Sequence, residues 1–149
     1  MTNSYDVDLD RNPANFQALT PLSFLDRTAA TFPQKTAIIH EDITYTYGEF
    51  YARCRRLASA LSKRGVGAGD TVAIVAPNVP AMLDCHYGVP MIGAVLNAIN
   101  YRLDASAIAF ILDHGEAKLL FVDREFSECV KQALTQCQAK PIVIDLDDP

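Results

Sequence analysis

The feature that most constrains this chain is the short run Thr71-Val72-Ala73-Ile74-Val75-Ala76. It is strand-length, almost wholly apolar and rich in β-branched residues. A strand with one wet face alternates apolar and polar residues; a run apolar at every position fits a strand covered on both faces, as in a parallel sheet. Two shorter runs behave alike, Ala94–Ala98 and Lys118–Val122, and Pro141–Ile144 makes a fourth. Helical patterns separate them. Asp104 is placed to cap a helix over Ala105–His114, with Ile108, Ile111 and Leu112 on one face and Gly115 as its stop. Asp123 is placed to cap a helix over Glu125–Cys137. A helix over Pro80–Gly93 is expected to be kinked or interrupted at Pro90. Strands that alternate with helices give an α/β fold: a doubly wound, mostly parallel sheet with crossover helices on both faces.

The part before Thr71 reads differently. Residues 1–15 are a polar, extended lead-in, and 16–149 form the α/β unit. Thr20 and Pro21 open a helix that runs to Thr31, with Phe24, Leu25, Ala29 and Phe32 as its apolar stripe. Residues 36–46 predict a β-hairpin turning at Glu41–Asp42. Thr46 and Glu49 have capping-box spacing at the start of a helix whose face is Phe50, Cys54, Leu57, Ala58 and Leu61.

At 149 residues and 50% hydrophobic content the chain suits one globular domain. The net charge of −5 and the lack of a basic patch argue against nucleic acid and anionic membranes as partners. Arg53, Arg55, Arg56, Lys63 and Arg64 read as a solvated helix face. No apolar run reaches the roughly 18–20 residues of a membrane span, and residues 1–15 hold no signal-peptide core, so a cytoplasmic location is expected. Cys54, Cys85, Cys129 and Cys137 form no C-x-x-C pair and read as reduced helix thiols, not as a metal site.

The search for chemistry yields no catalytic, cofactor-binding or metal-binding residue. The glycine cluster Gly65-Val66-Gly67-Ala68-Gly69-Asp70 follows a helix and precedes a strand, the reverse of a phosphate loop, and so lies at the negative end of the helix dipole. Ser59, Ser62, Ser106 and Ser127 lack a glycine elbow. His40, His86 and His114 are scattered. Asn97, Asn100, Tyr101 and Arg102 form the densest polar group, near the end of a core strand, where a role in fixing the loop is the favoured reading.

Three stretches nevertheless resemble the adenylate-forming acyl-CoA synthetases, or AMP-binding ligases. They are TPLSFLDRTAATFPQKTA (20–37), AIIHEDITYTYGEFYARCRRLASALSKRGVGAGDTVAIVAPN (37–78) and HYGVPMIGAVLNAINYRLDASAIAFILDHGEAKLLFVDREF (86–126). The last is similar to the branch of medium- and short-chain acyl-CoA ligases and plant acyl-activating enzymes. The resemblance implies the N-terminal α/β subdomain of such a ligase, incomplete as an AMP-binding domain. It implies a parent enzyme that joins a carboxylate to ATP as an acyl-adenylate, releases pyrophosphate and passes the acyl group to coenzyme A, with Mg2+ on the phosphates. It also implies that the phosphate loop and catalytic lysine lie downstream, so the fragment alone is expected to be inactive and to bind none of these cofactors tightly. Its partner would be the remainder of the parent chain; a homo-oligomer is a further option. The alternative is a self-standing, non-catalytic α/β binding module. The stop just past an apolar strand, with a sheet edge left open, favours the fragment. A flavodoxin-like nucleotide-binding protein is disfavoured, because no strand–glycine–helix loop is present.

Overall fold

The computed structural model describes residues 7–8 and 10–147. The lead-in expected over 1–15 therefore lies partly outside the described residues. Six strands and five α-helices follow in the order α1 (Pro21–Thr31), β1 (Thr36–His40), β2 (Ile43–Thr46), α2 (Tyr47–Lys63), β3 (Thr71–Val75), α3 (Pro80–Gly88), β4 (Val95–Ile99), α4 (Ala105–His114), β5 (Ala117–Asp123), α5 (Ser127–Gln136) and β6 (Ile142–Leu146).

The four apolar runs form one parallel sheet in the order β4-β3-β5-β6. The doubly wound α/β class expected from the sequence is present. Alternate residues of the two central strands serve two separate cores. Ala73, Val75, Leu120 and Val122 pack under α4 and α5 with Ile108, Leu112 and Val130. Val72, Ile74, Leu119 and Phe121 pack under α2 and α3 with Leu61 and Cys85. Each large aliphatic side chain buried this way contributes about 1.5–3 kcal/mol of transfer free energy.

The antiparallel hairpin β1–β2 stands apart from this sheet. It packs with α1 on α2 through a third cluster built on Leu25, Phe50 and Cys54. The Phe50 and Tyr87 rings meet edge-on at 5.3 Å, tying this cluster to α3.

Local signals account for most element ends. The Thr46–Glu49 capping box is formed: the Thr46 N–H donates to Glu49 Oε2 at 2.8 Å, and the Glu49 N–H donates to Thr46 Oγ1 at 3.3 Å. Asp104 caps α4 by accepting from the Ala107 N–H at 2.8 Å. Gly65 ends α2 in the left-handed region, φ +79°. There the Val66 N–H bonds the Leu61 carbonyl and the Gly65 N–H bonds the Ser62 carbonyl, which is a Schellman motif.

Two expected helices are shorter than the sequence pattern suggested. The helix expected over Pro80–Gly93 stops as α-helix at Gly88, and Pro90–Ile92 forms a 3-10 turn ending on left-handed Gly93. Pro90 has no N–H to continue the ladder, so the interruption falls at the proline. The helix expected over Glu125–Cys137 starts at Ser127 and ends at Gln136. Asp123 does cap, but it accepts from the Glu125 N–H only two residues ahead, and that tight reach winds Arg124–Phe126 as a 3-10 turn first.

Candidate functional site

In open α/β sheets ligands collect where neighbouring strands send their chains to opposite faces. That point here lies between β3 and β5: β3 leads into α3 on one face, and β5 leads toward α5 on the other. Beside the end of β3 is an open groove of about 500 Å³, between the hairpin and the N-terminal half of α3. Ile38 and Ile39 line one wall; Val79, Pro80 and Leu83 line the other. Its polar lining is His40, Asn78 and His86. The His86 Nδ1–H donates to the Met82 carbonyl at 2.8 Å, because a carbonyl can only accept. The wall residues can hold an apolar body. The groove's titratable side chains are His40, His86 and Tyr87.

Two histidines singled out in the sequence, His40 and His86, thus share this groove, whereas His114 stacks on Phe110 at the far end of α4, 5.6 Å between ring centroids. The polar group Asn97, Asn100, Tyr101 and Arg102 does not converge on a site. Asn97 lies inside β4 and packs against Gly115, where an added Cβ would approach its amide nitrogen to 2.9 Å. Asn100 accepts from the Arg102 N–H at 3.0 Å, Tyr101 packs on Phe126 at 4.9 Å, and Arg102 lies over the Tyr101 ring. These contacts shape the loop into α4. Ser59, Ser62 and Ser106 are exposed on helices, and Ser106 donates to the capping Asp104 at 2.8 Å. The four cysteines are free thiols; burial pushes those of Cys54 and Cys85 up to about 12, far from a reactive thiolate.

The glycine cluster is already occupied by its own side chains. Lys118 Nζ donates to the Gly65 carbonyl at 2.6 Å and to Asp70 Oδ2 at 2.8 Å, and the Gly67 N–H donates to the same Asp70 oxygen at 2.8 Å. The turn therefore presents a carbonyl and a carboxylate, and a nucleotide phosphate does not fit it. Among the described residues no group of three or more His, Cys, Asp or Glu side chains could hold a metal ion.

One buried ionic pair gave no signal as a constellation. Arg53 of α2 donates to Asp84 of α3 through Nε at 3.0 Å and Nη2 at 2.6 Å, and Arg53 Nη1 donates to the Tyr45 hydroxyl at 3.2 Å. Burial holds the Asp84 carboxyl above the usual carboxylate range, against the opposing pull of Arg53. A carboxylate inside the otherwise apolar stretch Met82-Leu83-Asp84-Cys85 was the available cue.

The fold defines an α/β domain of the doubly wound class, with an apolar groove beside the end of β3. Residues 25–149 match the family described as AMP-binding enzyme, and the chain belongs to that family. It is 50% identical over 133 residues to the peroxisomal acetate/butyrate–CoA ligase AAE7 of Arabidopsis thaliana, covering 89% of this chain and 23% of that one. It is equally 50% identical, over 127 residues, to the acetate–CoA ligase CCL3 of Humulus lupulus, covering 85% of this chain and 22% of the other. Among solved structures, the N-terminal domain of FACL13 from Mycobacterium tuberculosis superposes with a TM-score of 0.78 at 27% identity, covering 87% of this chain and 34% of that one. The chain thus spans less than a quarter of the length of these two curated relatives.

Proposed function

We propose that this chain is the N-terminal portion of an AMP-forming acyl-CoA ligase for short- or medium-chain carboxylic acids. The observation that carries the reading is the 50% identity to an acetate/butyrate–CoA ligase along 89% of the chain. The parent would use ATP, Mg2+ and coenzyme A to make an acyl-adenylate and then an acyl-CoA. This portion would supply scaffold: a rigid parallel sheet, its helices and an apolar groove at the end of β3. Its glycine turn, closed by Lys118 and Asp70, supports the view that the phosphates are held elsewhere, so the isolated residues 1–149 are inactive and bind the nucleotide weakly. Residues 16–149 act as one subdomain of a larger AMP-binding domain.

The test is acyl-CoA formation by the complete polypeptide, as its gene encodes it, with ATP, Mg2+, coenzyme A and a series of acids from acetate upward. Turnover that is highest among the short and medium chains is expected. A complete protein that binds ligands but makes no acyl-CoA from any acid would instead favour a non-catalytic binding module. No helix among the described residues is long and apolar enough to cross a membrane. A cytoplasmic location is our proposal; fractionation separates it from the peroxisomal location of the Arabidopsis relative.

A further inference from the structure

We draw no further inference here: the strongest candidate, the apolar groove between the β1–β2 hairpin and the N-terminal half of α3, lies open and nothing in the structure shows what covers it.

Discussion

The two faces of the parallel sheet are finished to different degrees. Beneath α4 and α5, Ile108, Leu112, Leu120 and Ala133 are wholly buried, and Asp113 accepts from the Gln138 and Ala139 N–H groups, closing the link from α5 to β6. Beneath α2 and α3 the centre is equally dry at Val72, Ile74 and Leu119, yet the β6 end is open and borders a carboxylate with one unsatisfied oxygen. Both faces are bare at β6, with Val143 of the first 44% exposed and Ile142 of the second 46%, and the second differs in the unsatisfied oxygen beside it.

The largest expected effect sits at the covered centre of the sheet. Leu120→Ala should destabilise the 149-residue chain by about 2–5 kcal/mol in urea unfolding, whereas Ile144→Ala on the outer strand β6 should cost less than half as much. Equal losses would erase the distinction between the centre of the sheet and its outer strand. Next comes the ion pair. Arg53→Met leaves the carboxylate of Asp84 buried and should cost about 3 kcal/mol near neutral pH. Asp84→Leu should cost clearly less, because the Arg53 side chain is 30% exposed and can turn to water. The double variant should recover much of the Arg53→Met loss, as a double-mutant cycle would show.

A smaller effect is expected at the end of α2. Gly65 has φ +79°, with nothing within 4 Å of an added Cβ, so Gly65→Ala introduces backbone strain without a clash and should cost about 1–2 kcal/mol. Calorimetry should place it well below Leu120→Ala.

The smallest effect is electrostatic. Asp70 is held below the usual carboxylate range by Lys118, Asp104 by the Ala107 N–H, and Glu49 by the Thr46 N–H. In acid the unfolded chain binds protons at these groups that the folded chain refuses, so stability is lost as pH falls below about 4. Asp84 is shifted upward and acts in the opposite sense, losing stability as pH rises through its own titration. Asp104→Asn should therefore flatten the acid limb of a stability–pH profile, and Asp84→Leu should leave that limb in place.

What could be read in advance follows from range. Caps and stops depend on residues within one turn of each other, so Thr46 with Glu49, Asp104 and Gly65 were legible, and so was the alternation that gives a doubly wound sheet. The Arg53–Asp84 pair spans 31 residues and two helices. Its approach depends on Gly88, where a Cβ would meet Leu57 at 2.8 Å and the Cys54 carbonyl at 3.0 Å. Nothing in either helix alone signals that close crossing, so Arg53 read as part of a solvated face. The groove likewise joins the hairpin to α3, and only the tertiary fold brings His40 and His86 to one place. Family membership was legible because it lies in the order of whole segments.

The central claim is that this chain supplies scaffold while the chemistry lies elsewhere in a longer ligase. Carboxylate-dependent ATP–pyrophosphate exchange tests it most directly, run side by side on the complete polypeptide and on residues 1–149. The account predicts exchange with the complete protein and none above background with the 149 residues. Exchange catalysed by the 149 residues alone would contradict it.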